Sequence, residues 1–387
     1  MPATQEVCKC IVKIDGKTVI QGDTGGSLQT KDGWYVEYVS VDKKIDCPDM
    51  FTLDFQMSSG AKIQLLDEIR EGKPIEILVG YDTEKTIFKG EISYIEPNFR
   101  NKGKSTVTIS GYDRSHRLTR GTVSRTWGDG VEKQDLYQNV VKDVITKSSE
   151  FTGTSDGLSP EKVESMQAKF TYLPQMNVSD YMLLKTLGTS ADKKTDASTE
   201  EDDKKVSFKK IDLSGRAVIT LCREKPEGDN AVLINECKFL LSTVKQYKRV
   251  EVRGWDPKTK KNIVGVAEES DYSFGGTEGW KATGKALYGK ESAGKVFTVV
   301  DHPVESKEEA DAIAKAIFNQ LSLDFITGEA NFKGNPEITA GDIVECKGFG
   351  ERFGGKYLIA SCTHVLAPQA KGYSVYVKLV RNSVEKV

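Results

Sequence analysis

Apolar side chains recur at every second position in several short runs near the N-terminus, which is the pattern of half-buried β-strands. In residues 51–57, FTLDFQM, one face carries Phe51, Leu53, Phe55 and Met57. The run PIEILVGY at residues 74–81 alternates in the same way. Short antiparallel strands with one face in water must close or stack to bury the other face. The pattern therefore predicts a small β-barrel over residues 1–118.

The apolar spacing changes to a helical period in three later segments. Residues 131–148 carry the first helical stripe, and the second helix has Ser179 as its N-cap and is predicted to end at Gly188. The third helix spans residues 306 to about 325, and Ser306 begins a capping box in front of it. These helices predict α/β segments between regions of strands.

Two distant parts of the chain repeat one pattern. Residues 69–95 and 338–365 each contain a glycine after a charged or small residue, then a strand, a glycine-containing turn and a second apolar strand. A third strand follows in both places, at 105 and at 372. The repeat predicts two related β-modules. Chance similarity between generic strands is the alternative interpretation.

The predicted fold class is α+β, mainly β, with two similar small antiparallel β-barrels joined by α/β insertion domains. The first barrel is predicted at 1–118 and the second at 246–265 together with 328–387. The predicted insertion domain covers 119–245 and includes a charged, flexible loop at 190–206. Residues 266–327 are predicted to be a Gly-rich segment plus an amphipathic helix that packs on the insertion domain.

Composition narrows the class of protein. The 387 residues suggest two to four domains, and 38% hydrophobic with 29% charged residues is typical of folded globular chains. The 55 Lys and Arg residues nearly balance the 57 Asp and Glu residues, which argues against a nucleic-acid or anionic-membrane surface. No apolar run reaches the roughly 20 residues of a membrane span, and no secretory signal is visible. Seven cysteines are predicted to be reduced thiols.

No motif assembles a catalytic set. Asp113, Ser115 and His116 are triad residue types, but neighbours on one short segment cannot form a Ser-His-Asp relay. The DTGG sequence at 23–26 occurs once, whereas an aspartic protease dyad needs two carboxylates. We therefore predict a protein that is not an enzyme.

Cofactor and metal motifs are incomplete as well. The Gly-rich segment at 348–355, GFGERFGG, connects strand to strand and has Phe353 where the dinucleotide fingerprint needs its third glycine. Cys8 and Cys10 lack a second pair at metal-site spacing and should share one strand face. The sequence predicts no cofactor and no metal.

Two other functions are alternatives. A cell-wall hydrolase would need a carboxylate in a cleft. A nucleic-acid-binding β-barrel would need aromatic and basic residues on one strand face, and residues 244–262, VKQYKRVEVRGWDPKTKKN, come nearest to this requirement.

Five sequence blocks, in order from about residue 70 to 382, resemble the phage late control gene D protein family. The blocks are FKGEISYIEPNFRNKGKSTVTISGYDRSHRLTRG, NVSDYMLLKTLG, VEVRGWDPKTKKNIVG, SKEEADAIAKAIFNQL and GNPEITAGDIVECKGFGERFGGKYLIASCTHVL. That family provides the tail hub of contractile phages and is similar to the N-terminal hub part of the type VI secretion spike protein VgrG.

The resemblance implies a homotrimer whose six barrels form a pseudo-sixfold ring between a hexameric tail tube, or tube-initiator protein, and a trimeric spike. The spike is expected to be a separate protein, and the tape measure and baseplate wedge proteins are further expected partners. No nucleic-acid specificity and no membrane segment are expected. The chain would be made and assembled in the bacterial cytoplasm and become part of a virion tail or injection particle.

Candidate interface or structural residues follow from the repeated turns and from two tryptophans at predicted domain joints. They are Gly72, Pro74, Gly90, Glu91, Trp127, Trp255, Gly341, Asp342, Gly354, Gly355 and Tyr357.

Overall fold

The computed structural model describes most of the chain. The described residues are 7–25, 28–30, 33–57, 69–147, 157–166, 168–197, 203–213, 215–226, 228, 230–256, 259–290, 292–368 and 372–385.

Eight antiparallel strands near the N-terminus form a closed barrel, which we call barrel 1. They are β1 (Lys9–Ile14), β2 (Lys17–Asp23), β3 (Gln29–Thr30), β4 (Trp34–Lys44), β5 (Met50–Met57), β6 (Pro74–Gly80), β7 (Lys85–Asn98) and β8 (Thr106–Tyr112). Pairing of β4 with β5 completes the closure. The interior contains the side chains whose alternation predicted the strands, among them Phe51, Leu53 and Phe55.

Six later strands close a second barrel, barrel 2, through pairing of β21 with β22. They are β14 (Ile219–Cys222), β15 (Ala231–Leu241), β20 (Ile326–Lys333), β21 (Ile343–Lys347), β22 (Gly355–Ala367) and β23 (Gly372–Arg381). β14 runs parallel to both of its neighbours, and the other pairs are antiparallel.

The predicted fold class, mainly β with two small barrels, is confirmed. The composition predicted for the second barrel is wrong in one part. Within the predicted segment 246–265, the strands at 249–256 and from 261 onward lie in a separate three-stranded sheet, while residues 219–222 and 231–241, which were assigned to the insertion domain, belong to barrel 2. The reason is that the gap between β15 and β20 holds a long insertion, which separates strands that pair in space.

The repeated pattern corresponds to repeated hydrogen bonds. In barrel 1 the Gly72 N–H donates to the Ile92 carbonyl at 2.8 Å, and in barrel 2 the Gly341 N–H donates to the Ile359 carbonyl at 2.9 Å. Both glycines have positive φ, +75° and +95°, a conformation that other L-residues rarely adopt. The same turn therefore opens both modules.

The two barrels also share their β-bulges. In the β7–β8 pair Ser93 is the extra residue, and in the β22–β23 pair Ala360 is the extra residue, directly after the two isoleucines of the shared turn. A second bulge leaves Glu37 of β4 and Asn235 of β15 unpaired. Because a bulge fixes strand register, β4, β5, β7 and β8 correspond to β15, β20, β22 and β23.

An α/β body connects the barrels and has its own hydrophobic core. Its helices are α1 (Leu136–Lys147), α2 (Asp180–Ala191) and α4 (Lys307–Leu323), and a 3₁₀ helix covers Arg114–Thr119. Its strands are β9 (Val123–Trp127), β10 (Ser159–Val163), β11 (Leu173–Val178), β12 (Lys194–Ala197), β13 (Lys205–Lys209), β16 (Arg249–Asp256), β17 (Lys261–Ala267) and β19 (Val296–Val299). α4 packs on β16, β17 and α2.

The remaining described elements are short. α3 (Gly279–Tyr288) lies in the segment predicted as Gly-rich, α5 (Gly350–Phe353) lies in the β21–β22 turn, and β18 (Thr277–Glu278) pairs with β24 (Ser383–Val384). None of the described helices is both long and apolar enough to cross a bilayer.

Two local predictions in the α/β body need correction. α2 starts as predicted, with the Ser179 hydroxyl accepting from the Met182 N–H at 3.2 Å, but it continues past Gly188 to Ala191. Its C-cap is Asp192, whose φ of 55° is left-handed. Part of the predicted flexible loop is ordered, because residues 194–197 form β12 and pair with β13. Residues 198–202 lie outside the described part of the chain.

Candidate assembly interface

The two barrels are joined directly by strand pairing. Residues 39–44 of β4 pair antiparallel with residues 361–366 of β22. The Thr363 hydroxyl also donates to the Asp42 carboxylate at 2.7 Å. The sheets of barrels 1 and 2 are therefore continuous within one chain, and one hydrophobic core extends through both.

A buried histidine lies at this joint. The Nδ1 atom of His364 is 2.7 Å from the Tyr373 hydroxyl, and its Nε2 atom is 2.9 Å from the Ile338 carbonyl. A carbonyl only accepts, so Nε2 carries the proton and Nδ1 accepts from tyrosine. Burial lowers the pKa of His364 to about 3, so the neutral ring is the form that the joint holds.

Each barrel has a long strand segment that pairs on one side only among the described strands. Residues 94–98 of β7 pair with β8 on one side only, because β6 ends its pairing at Glu91. Residues 236–241 of β15 pair only with β20, because β14 covers β15 no further than Leu233. Such edges present unpaired backbone groups to other strands.

Large apolar side chains are exposed at both edges. Phe99, directly after β7, is 59% exposed, and Leu240 of β15 is 61% exposed. Tyr94 of β7 is also exposed. Sequence reasoning missed these residues, although Phe99 follows a proline-containing strand in which Pro97 is typical of an edge.

Among the candidates from the sequence, Gly72 and Gly341 form the turns described above. Pro74 begins β6 and pairs with Glu91, and the Asp342 carbonyl accepts from the Ile359 N–H at 2.9 Å. These residues hold the start of each module in place.

Gly90 and Glu91 lie where β7 passes from β6 to β8. A Cβ atom on Gly90 would overlap the Tyr112 carbonyl oxygen and come within 2.7 Å of the Phe88 ring. The Glu91 carboxylate is buried and accepts from the Arg117 guanidinium, with Nε at 3.1 Å. Glu91 thereby ties barrel 1 to the 3₁₀ helix.

Gly354, Gly355 and Tyr357 surround a fully buried arginine in barrel 2. Arg381 is 0% exposed, donates to the Gly354 carbonyl and stacks on the Tyr357 ring at 5.5 Å. The Tyr357 hydroxyl donates to the Phe353 carbonyl at 2.8 Å.

The two tryptophans have different surroundings. Trp127 donates through its indole nitrogen to Asp143 of α1 at 2.6 Å, inside the α/β body, while Trp255 of β16 is 56% exposed. None of the candidate residues lies within 94–100 or 236–242, and an interface role for them stays a prediction.

The buried Asp113 carboxylate lies where barrel 1 meets the α/β body, close to the Asp196 carboxylate. The Asp113 carboxylate is 3% exposed and accepts from the backbone N–H groups of Asp49 and Ser115. The pKa of Asp113 is raised to about 6, chiefly because the carboxyl is buried; the hydrogen bonds from Ser115 and Asp49 oppose this rise and the nearby Asp196 adds to it. The charge of Lys43 lowers the pKa of Asp49, and the charges of Lys209 and Lys43 lower that of Asp196, against the effect of burial.

We expect the raised pKa of Asp113 to make the free energy of unfolding depend on pH. Because the pKa of Asp113 is higher in the folded chain than in the unfolded chain, its stabilisation is complete below about pH 4 and is lost as pH rises through about 6. The loss should approach about 3 kcal/mol. Urea unfolding at a series of pH values should show a steeper fall in stability for the wild type than for Asp113→Asn, in which Asp49 and Asp196 still titrate with raised pKa values.

The exposed Asp82 is the matched control, since Asp82→Asn should keep the slope of the wild type. Equal slopes for the wild type and Asp113→Asn would contradict the assignment. A loss of stability in Asp113→Asn that is the same at every pH would not contradict it, because asparagine has one acceptor oxygen where aspartate uses two.

The alternative chemistries gain no support from the geometry. The ring nitrogens of His116 contact the Asp113 carbonyl at 2.6 Å and the Arg120 guanidinium at 2.8 Å, so it does not reach Ser115 as a base would. On β16, Arg249 and Arg253 both bind Glu251, which neutralises part of the basic face proposed for nucleic acid.

One protein family and several solved structures match this chain. Residues 32–368 match the model of the family described as the Alg8 N-terminal domain. No curated protein matches the chain.

Solved structures share the fold at low sequence identity. The 43 kDa tail protein of prophage MuSo2 from Shewanella oneidensis is 12% identical, with a TM-score of 0.68 and coverage of 97% of this chain and 98% of that one. A tail protein from Neisseria meningitidis is 14% identical, with a TM-score of 0.63 and 98% coverage of both chains. An E. coli type VI secretion component, described as similar to the T4 tail proteins gp27 and gp5, is 10% identical, with a TM-score of 0.55, 96% coverage of this chain and 77% of that one.

Proposed function

The chain belongs to the Alg8 N-terminal domain family and has the fold of phage tail proteins, and from its two corresponding barrels we propose that it is a structural hub of a contractile tail or injection machine. Membership of the late control gene D family is part of the same proposal. In this proposal the hub has no catalytic role.

The observation that carries the proposal is the duplication. One chain contains two barrels with the same turn, the same bulges and the same order of four corresponding strands, joined edge to edge. A closed assembly repeats each interface with the order of its own axis. Three copies of a two-barrel chain present six nearly equivalent barrels while keeping threefold symmetry.

This geometry suits an adaptor between partners of different symmetry. A hexameric tail tube, or the protein that initiates it, would contact the six barrels. A trimeric spike would contact the three α/β bodies, whose insertions leave each barrel at corresponding ends: after β8 in barrel 1, and between β15 and β20 in barrel 2. The tape measure and baseplate wedge proteins are further proposed partners, and assembly would take place in the bacterial cytoplasm before incorporation into the particle.

The mass of the particle in solution tests the proposal. Analytical ultracentrifugation should give three chains at high protein concentration, and negative-stain images should show a ring with six lobes around a central opening. A closed dimer, or a chain that remains monomeric at every soluble concentration, would refute the homotrimer.

A further inference from the structure

The pairing of β4 with β22 between barrels 1 and 2 is a template for a second contact, which the described part of one chain does not form. In the template, the strand after the shared bulge of one barrel, β22, pairs with a long strand of the other, β4. Their counterparts are β7 of barrel 1 and β15 of barrel 2, and residues 94–98 of β7 and 236–241 of β15 each pair on one side only among the described strands.

The register of the missing contact can be read from the bulges. Tyr94 follows the bulge of β7 as Ser361 follows the bulge of β22. Glu236 follows the bulge of β15 as Tyr38 follows that of β4. Since Ser361 pairs with Lys44, transferring the register places Tyr94 opposite residue 242 of β15 and runs antiparallel from there.

Side chains match on the inward face of this transferred pairing. Its three inward pairs are Ile95 with Leu241, Pro97 with Phe239, and Phe99 with Cys237. All six residues are apolar, and the corresponding inward pairs of the template are buried. Because Pro97 has no N–H group, the contact lacks at most one of the backbone hydrogen bonds that the template forms.

Charges match on the outward face. Continuing the register by one residue places Arg100 opposite Glu236. Glu96 lies opposite Leu240, with Lys238 as a diagonal neighbour, which is within reach of long side chains. The exposed Phe99 lies on the inward face of this contact, and the exposed Leu240 lies opposite Glu96 on its outward face.

We propose that residues 94–100 of one copy of the chain pair antiparallel with residues 236–242 of a second copy, in the register that places Arg100 opposite Glu236. This edge pairing, here called the seam, is head-to-tail, because the two edges belong to different barrels. A head-to-tail contact gives a ring if its rotation closes and a filament if it does not. Closure at three copies rests on the proposed function; the seam itself rests on the template.

Disulfide trapping tests the register. The variant Glu96→Cys/Leu240→Cys should form interchain disulfides on mild oxidation, giving covalent dimers and trimers on a non-reducing gel, whereas neither single variant should. The matched control is Thr363→Cys/Asp42→Cys, which occupies the corresponding positions of the template and should form an intrachain disulfide detectable by peptide mass spectrometry. A control that closes while the seam variant gives no interchain product would overturn the proposal.

A charge exchange tests the same seam without cysteine. Arg100→Glu and Glu236→Arg should each weaken self-association about tenfold, because like charges then face each other across the strands. The double variant should restore the affinity to near that of the wild type. Single variants that associate like the wild type would contradict the register even if a cysteine variant failed to fold.

The outcomes separate the seam from the proposed function. Trimers without seam disulfides would refute the seam and leave the hub intact. Seam disulfides that continue into long covalent polymers would support the seam and refute the closed ring of three.

Discussion

Replacing Arg381 by alanine should destabilise barrel 2 by about 3–5 kcal/mol, the range for truncating a large buried side chain. The side chain fills the space between the Tyr357 ring and the turn at Gly354, and no water-exposed surface is available to it. Alanine would leave a cavity and an unpaired Gly354 carbonyl. Urea unfolding followed by circular dichroism measures the change.

Arg381→Met separates packing from charge. Arg381 is fully buried, and its Nη2 atom has no hydrogen-bond partner among the described residues. Burying such a cation is costly, so a methionine of similar length should lie within about 1 kcal/mol of the wild type. The exposed Arg352 is the control, since Arg352→Ala should change stability by less than about 0.5 kcal/mol. A methionine variant as unstable as the alanine variant would show that the charge itself is required.

The second large effect is expected at Gly90. Its Cβ would overlap the backbone oxygen of Tyr112 on the neighbouring strand, and backbone cannot move aside as a side chain can. Gly90→Ala should therefore cost at least about 3 kcal/mol, at the upper end of overpacking effects, and reduce the yield of folded protein. The measurement is the urea midpoint together with the soluble fraction after expression.

Gly341 provides the matched control for that prediction. A Cβ at Gly341 would meet nothing within 4 Å, so Gly341→Ala should cost only the strain of its positive φ, about 1–2 kcal/mol. If the two alanine variants were equally stable, close strand approach at Gly90 would not be the reason for its glycine.

The sequence predicted barrel 1 well because its strands follow one another and alternate clearly. The Ser306 cap was also predictable from local residues: its hydroxyl accepts from the Glu309 N–H at 3.1 Å. The second half of the predicted capping box differs, because the Glu309 carboxylate accepts from the Glu305 N–H instead. Local chemistry selects the helix start, while the loop in front of it decides which donor the carboxylate meets.

Barrel 2 was harder to predict because its pairing is not local. β14 is a short strand whose parallel partners, β15 and β21, give no signal in the residues around it. The hairpin of β16 and β17 alternates like a barrel strand pair, but its apolar face packs on α4 instead. Alternation shows that one face is buried and does not show against what.

The candidate site illustrates the same limit. Glycines and turn residues were recognisable from their chemistry, and the turn pair Gly72 and Gly341 revealed the duplication. The free edges were not recognisable, because an unpaired edge is defined by the absence of a neighbour in space. The signal that could have identified them was the repeat itself, extended from the turns to the strands that follow.

Residues 242–325 interrupt barrel 2 between β15 and β20, and this has a consequence for synthesis on the ribosome. Barrel 1 can close early, whereas β15 must wait for the whole intervening segment before its partner emerges. During that interval the inward face of β15 and the outer edge of β4 are both uncovered. The nascent chain is therefore most prone to aggregate late in translation, when most of it has already folded.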